Sequence, residues 1–318
     1  VKDADLVIWA GARLKRRLGY GLTPRFDANA KMIQIETCPE EMGRNRPMNV
    51  CLEGDVALNL KALVAELNSR EQSAFDAAWL RKSLTDRIQY IRERASLGTK
   101  NVNPYLLGTR VQPHIDKGNI IFISDGALIL VRMFGVVRAK QAGSYIDTYP
   151  LGSMGMGTPM ALGAAIAERD LASQQGRQPR RVVLVTGDGS LGFYVSELAS
   201  AAMEQVALTV LVANNGGWGN ELVNQPLRIG RTVNAHLGDI DYATVARGFG
   251  LKAERVARTD DLASRIDWAL AQNGPSLLDI VVEDMELTAE ELTIFYSDLE
   301  QTREKHYLVV PETPSKVL

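Results

Sequence analysis

Cysteine is scarce, with only Cys38 and Cys51 in 318 residues, no CxxC pair and no Cys/His ligand spacing. That pattern excludes a disulfide framework and a structural zinc, and a reduced, cytoplasmic compartment is expected. Long apolar runs are missing as well. Stretches such as Ile120 to Ile123 and Val182 to Val185 fall far short of the ~20 residues of a bilayer span. Charge of one sign is not in excess: 36 Lys and Arg face 38 Asp and Glu, a formal net charge of -2. No global positive field is present to hold a nucleic acid or an anionic membrane surface. There is no GxSxG elbow, and His114, His236 and His306 stand far apart, outside any catalytic frame. The opening residues Val1-Lys2-Asp3-Ala4-Asp5 are not a signal peptide. Without an initiator Met, the chain is expected to begin partway through something larger.

What is there is ordinary globular material, 46% hydrophobic and 23% charged with 27 Gly and 12 Pro, long enough for about two domains. A small-molecule enzyme fits this balance best. Buried strands are expected at residues 5–12 (DLVIWAGA), 31–36 (KMIQIE) and 50–52. A helix follows over about 56–67, with Asp55 as N-cap and Val56, Leu60, Leu63 and Val64 on one stripe. Residues 69–100 read as a helical connector. Further strands are expected at 119–124, 181–186, 208–213 and 277–282, with helices at about 161–169 and 194–205. Strands alternating with helices imply an α/β fold, a parallel sheet with helices on both faces.

Gly187-Asp188-Gly189-Ser190-Leu191-Gly192 fits GxGxxG between a strand and a helix, so a nicotinamide-binding turn has to be weighed. Asp188 argues against it, because its carboxylate would face the pyrophosphate that such a loop cradles. The next strand also ends in Asn214-Asn215 where an acid for the ribose is expected. A divalent cation reconciles an acid with a phosphate loop. Mg²⁺ takes six oxygens, drawn from one or two side chains, carbonyls, waters and ligand phosphates. Asp188 offers a carboxylate, Asn215 an amide oxygen, and Gly217 a carbonyl in a glycine-rich turn. Twenty-five residues separate Gly189 from Asn215, enough for one helix and the neighbouring parallel strand. Both groups then reach the carboxyl edge of the sheet. Taken alone, a plain strand-to-helix turn remains an equal reading of GDGS.

The GDG-to-NN segment resembles the thiamine diphosphate (ThDP) signature of the acetolactate synthase, benzaldehyde lyase and 2-hydroxyacyl-CoA lyase superfamily. The likeness extends to Asp125-Gly126-Ala127-Leu128, to Leu151-Gly152-Ser153-Met154-Gly155-Met156-Gly157 and to Asn214-Asn215-Gly216-Gly217-Trp218-Gly219. In these motifs it is closest to benzaldehyde lyase. The GARL and GRNRP elements resemble the family's central domain. The resemblance implies that residues 1–68 are the later part of a Rossmann-like central domain. It implies a diphosphate-binding domain over 101–286 and a C-terminal tail over 287–318.

It further implies that Asp188, Asn215 and Gly217 hold Mg²⁺, while Gly126, Ala127, Gly187, Gly189 and Ser190 cradle the diphosphate. Gly152 would accept the cofactor's 4′-amino group on its backbone oxygen, beside Ser153. Met154 would wedge between the two rings, since a large soft side chain fills the concave side of a bent cofactor. Met156 is expected in the core. Leu130, Trp218 and Asn220 are the candidates for the substrate pocket, with a helix-start cap as the plainer role of Asn220. The implied activity is a carbon–carbon lyase or carboligase acting next to a carbonyl of a small-molecule substrate. The family's tautomerising glutamate sits on a pyrimidine-binding domain that these residues do not resemble. A partner chain or further sequence is expected to supply it, within a dimer or tetramer.

Overall fold

The computed structural model describes residues 1–70, 78–149 and 151–285. Two compact units emerge, divided near residues 79 and 80.

In the first unit, β1 (Leu6–Ala10), β2 (Lys31–Glu36) and β3 (Val50–Glu53) form a parallel sheet in the order β1-β2-β3. The helix α1 (Val56–Asn68) begins where Asp55 accepts a hydrogen bond from the Leu58 N–H at 2.8 Å, the cap that the sequence predicts. Its apolar stripe is not covered as expected, because no residue of α1 is buried within the described residues. The compact part lies around Leu14, Phe26 and Met32. There the buried Arg46 donates to the carbonyls of Gly21, Asp27 and Ala30.

The second unit carries the chemistry. Residues 71–77, inside the expected connector, and 286–318, including the expected tail, lie outside the described residues. From Ala78 to Ser96 runs a helix, α2, followed by α3 (Pro104–Asp116). Six strands form the sheet: β4 (Ile120–Ser124), β5 (Tyr145–Asp147), β6 (Arg181–Gly187), β7 (Leu208–Asn214), β8 (Lys252–Val256) and β9 (Ser276–Val281). Their order is β5-β4-β6-β7-β9-β8, and every pairing is parallel. After β4 the chain steps outward to β5 and returns on the other side to β6. The switch point of the sheet therefore lies between β4 and β6, where open α/β folds bind ligands.

Alternate strand residues feed two cores. Phe122, Val183, Val185, Leu211 and Ile280 pack with α3, α4 (Leu128–Val136) and α10 (Thr259–Leu270). Ile123, Leu184, Val210, Val212 and Leu277 pack with α5 (Gly157–Gln174), α7 (Glu197–Glu204) and α9 (Tyr242–Gly248). Burial on both faces explains why these strands are continuous β-branched runs rather than alternating ones. Two short elements, α6 (Asp188–Phe193) and α8 (Gly219–Ile229), leave the carboxyl edge directly after β6 and β7. Among the described residues, no helix is long and apolar enough to cross a membrane.

Candidate active site

The row of strand ends sets the site. Asp125 follows β4, Asp188 follows β6, Asn214 closes β7 with Asn215 next, and Asp284 comes three residues after β9. Around them lies a cavity of about 480 Å³, whose walls include Gly126, Gly152, Asp188, Asn215, Gly217 and Trp218.

Asp188 is 2% exposed and opens α6. Burial, its largest influence, pushes its carboxyl up to about 6, against the backbone N–H groups of Gly189 and Gly217 that favour the anion, while Asp284 adds a smaller upward push. Burial thus makes this carboxyl easier to protonate than a free aspartate, a push that a neighbouring cation would oppose. The Tyr242 hydroxyl donates to the Asp188 carbonyl at 3.0 Å and fixes the start of α6. Burial pushes that phenol up to about 12.

On the neighbouring strand end, two consecutive asparagines divide the work. Asn214 is buried and spent on structure. Its Nδ2 donates to Asp279 Oδ1 and to the Ile240 carbonyl, both at 2.9 Å, and its Oδ1 accepts from the Gly216 N–H at 3.1 Å. Asn215 reaches the cavity, with its Nδ2 donating to Asp284 Oδ1 at 2.7 Å.

The glycines of the motif have local reasons. Gly126 holds a φ of +104°, which an L side chain rarely adopts. A Cβ on Gly189 would stand 2.5 Å from Cζ3 of Trp218, and one on Gly217 would stand 2.6 Å from the Ala235 carbonyl. Close backbone approach at these turns is therefore built in before any ligand arrives. The donor set fits Mg²⁺ and a diphosphate: one buried carboxylate, one amide and carbonyl-bearing glycine turns at the switch point. No group of three or more His, Cys, Asp or Glu suited to a metal occurs among the described residues. The fit rests on amide and carbonyl oxygen beside a single acid.

Gly126, Ala127, Gly152, Met154, Gly187, Asp188, Gly189 and Ser190 all line the cavity, as do Asn215, Gly217, Trp218 and Asn220. Two expected residues do not. Leu130 is wholly buried within α4. Leu128, Ile129 and Arg132 face the cavity, and Leu130 lies on the far side of the same helix turn, where it packs inward. Ser153 is exposed and lies outside the cavity wall. The expected core residue Met156 is also exposed, at 37%, because its segment turns at the strand edge before entering α5. Asn220 does not cap α8, whose N-cap position is Trp218. Trp218 packs its ring 5.7 Å from that of Phe193 on the cavity wall.

Sequence reading quoted Asp125 within a motif but gave it no role, and it did not single out Arg132 or Asp284. Asp125 is fully buried and ties the 151–157 turn to β4. Its Oδ1 accepts from the Gly126 N–H at 2.6 Å, and its Oδ2 accepts from the N–H groups of Gly155 and Gly157 at 3.0 Å each. The available signal was the pair of glycines at 155 and 157, whose N–H groups need an acceptor once the turn is buried.

Comparison with known proteins supplies the family. The C-terminal TPP-binding domain model of thiamine pyrophosphate enzymes matches residues 129–280, and the central domain model of the same enzymes matches residues 1–63. The chain belongs to the thiamine pyrophosphate enzymes. It is 28% identical over 297 residues to 2-hydroxyacyl-CoA lyase 1 of Mus musculus, covering 89% of this chain and 50% of that protein. To acetolactate synthase 1 of Zea mays it is 29% identical over 303 residues, covering 90% and 45%. In three dimensions it is similar to the ThDP-dependent 4-hydroxybenzoylformate decarboxylase of Rhodococcus jostii RHA1. The TM-score is 0.66 at 22% identity, covering 88% of this chain and 49% of that one. The chain thus spans about half the length of the relatives it matches.

Proposed function

We propose that the chain forms the cofactor-holding side of a ThDP- and Mg²⁺-dependent lyase or carboligase that breaks or makes a carbon–carbon bond next to a carbonyl. The substrate class is a 2-hydroxy ketone, an aldehyde or a 2-hydroxyacyl-CoA. The observation that carries the reading is the buried Asp188 beside Asn215 on adjacent strand ends, on a cavity whose turns admit backbone at close range. Asp188, Asn215 and the Gly217 carbonyl would hold Mg²⁺. Gly126, Ala127, Gly187, Gly189 and Ser190 would take the diphosphate, Gly152 the 4′-amino group, and Met154, 39% exposed at the cavity, the bend of the cofactor. When bound, ThDP supplies a nucleophilic carbon and a sink for the electron pair left at the carbonyl carbon.

In this reading this chain's residues bind and orient that cofactor, with the Phe193 and Trp218 rings packed together on the cavity wall. In this reading the proton-moving glutamate comes from a pyrimidine-binding domain elsewhere in the protein or on a partner chain, in a dimer or tetramer. The similarity to acetolactate synthases supports a second reading, a transferase or decarboxylase acting on a 2-oxo acid. A ThDP-binding subunit without turnover is the third.

Product analysis separates the three. The complete protein carrying this chain is supplied with ThDP and Mg²⁺ and offered pyruvate, an aldehyde or a 2-hydroxyacyl-CoA. Aldehyde release or aldehyde coupling supports the lyase or carboligase, and acetolactate or carbon dioxide from pyruvate supports the second reading. ThDP retention without any product supports the third, and no retention contradicts all of them.

A further inference from the structure

We propose that Asp284 is a positioning residue of the metal site: it holds the amide of Asn215 so that the amide oxygen, and not its NH₂, faces the cation. The inference rests on the Mg²⁺–ThDP reading above and extends it to a residue outside the motifs.

The placement follows from the sheet. Strand β9 pairs in parallel with β7, Asn214 opposite Val281, and the Val282 N–H donates to the Asn214 carbonyl at 2.9 Å. The segment leaving β9 therefore runs beside Asn215, and Asp284 accepts from Asn215 Nδ2 at 2.7 Å. An ionised carboxylate has no hydrogen to donate, so the end of the amide that faces it must be the NH₂. Oδ1 then points away from Asp284, as a metal ligand must. With Asp284 removed, nothing in that contact distinguishes the two ends of the amide, and an NH₂ turned toward a dication repels it. The preceding residue shows the contrast, because both ends of the Asn214 amide are consumed by protein groups.

Arg132 secures this arm from inside. It is 5% exposed on α4 and donates through Nη2 to the Met285 carbonyl at 3.0 Å, next to Asp284 in the chain. Its Nε has no hydrogen-bond partner among the described residues. Among the described residues that line the cavity, it is the only cation, against Asp188, Glu221 and Asp284. Burial pulls the guanidinium down to about 10, and the Asp284 carboxylate is the first influence in the opposite direction. Asp284 itself is exposed. A buried cation whose burial cost is offset by a carboxylate at the cavity rim draws that carboxylate toward the cavity.

The test measures the Mg²⁺ dissociation constant of the complete protein at saturating ThDP, by quenching of tryptophan fluorescence, in the parent and in Asp284→Ala, Asp284→Glu and Asp188→Ala. Metal-free thermal unfolding is followed alongside. Loss of an outer partner of a metal ligand typically weakens binding about 10- to 100-fold, and Asp284→Ala is expected to do so with unfolding unchanged. Asp284→Glu keeps a carboxylate, which can only accept from Asn215 Nδ2, and is expected to stay within about threefold of the parent. A merely structural role would not produce that rescue. Should the alanine variant not fold, Asp284→Leu replaces it as the non-accepting form. If Asp188→Ala loses the metal while Asp284→Ala binds within about twofold of the parent, or if Asp284→Glu is as impaired as Asp284→Ala, the role of Asp284 is overturned and the site reading stands. If Asp188→Ala binds Mg²⁺ like the parent, the site reading itself fails.

Discussion

Strands β4 and β6 lie side by side, and each runs out into a buried Asp-Gly turn, Asp125-Gly126 and Asp188-Gly189. In both, burial is the largest influence on the carboxyl and raises it. Their surroundings differ. The oxygens of Asp125 are taken by three backbone N–H groups of its own turn and of the 155–157 turn, which makes it a clamp that holds Gly152 and Met154 beside the cavity. Asp188 lines the cavity across from Asn215, one strand further along. Backbone N–H groups reach both carboxylates, and the two turns, alike in sequence, are separated by place: Asp125 ties a distant turn to β4, while Asp188 lines the cavity. One acid braces the wall and its neighbour faces the cavity.

The largest expected effect breaks the clamp. Asp125→Ala would leave three buried N–H groups without an acceptor, each worth about 1–3 kcal/mol if left unsatisfied. With some rehydration, a loss of about 4 kcal/mol in urea unfolding is expected. A variant within about 1 kcal/mol of the parent would erase the distinction. Gly157→Ala attacks the same clamp from the other side, because a Cβ there would overlap the Cβ of Asp125. An overpacked core position costs about 1–3 kcal/mol, and the upper end is expected, read as a lower thermal midpoint.

For Asp188 the sign of the pH dependence sharpens the contrast. Its folded value, about 6, lies above that of the unfolded chain, so the metal-free fold binds more protons between about pH 4 and 6. Its stabilising contribution is full below that window and is lost as pH rises through 6. The expected loss is about 3 kcal/mol, and it is absent in Asp188→Asn. Chemical denaturation at pH 4 and pH 7 checks it, and equal slopes for parent and variant would contradict it. Mg²⁺ needs the ionised carboxylate, so metal affinity is expected to fall about tenfold per pH unit below 6. A flat profile across that range would speak against Asp188 as a ligand.

Much of the sheet was legible in the sequence. The runs at 120–124, 181–187 and 208–214 are β-branched and apolar because both faces of each strand are covered. Less visible were α3, which carries Gly108 and Pro113, and the charged edge strand β8, because their places come from packing rather than from periodicity. Asp188 and Asn215 do meet on one cavity wall at adjacent strand ends, although two helices, α6 and α7, lie between them where the spacing suggested one. Leu130 was misplaced because the phase of α4 decides which of its apolar side chains meets the cavity. Arg132 sits in the apolar stretch LILVRMFG, and Asp284 lies sixty-nine residues from Asn215. Neither shows its role until β9 is laid against β7.

The most direct test is anomalous diffraction from crystals of the complete protein grown with ThDP and Mn²⁺ in place of Mg²⁺. A single manganese peak is expected within coordination distance of Asp188 and Asn215, with none at Asp125. A peak at Asp125, or no peak beside Asp188 in crystals that contain ThDP, would contradict the assignment of the two acids.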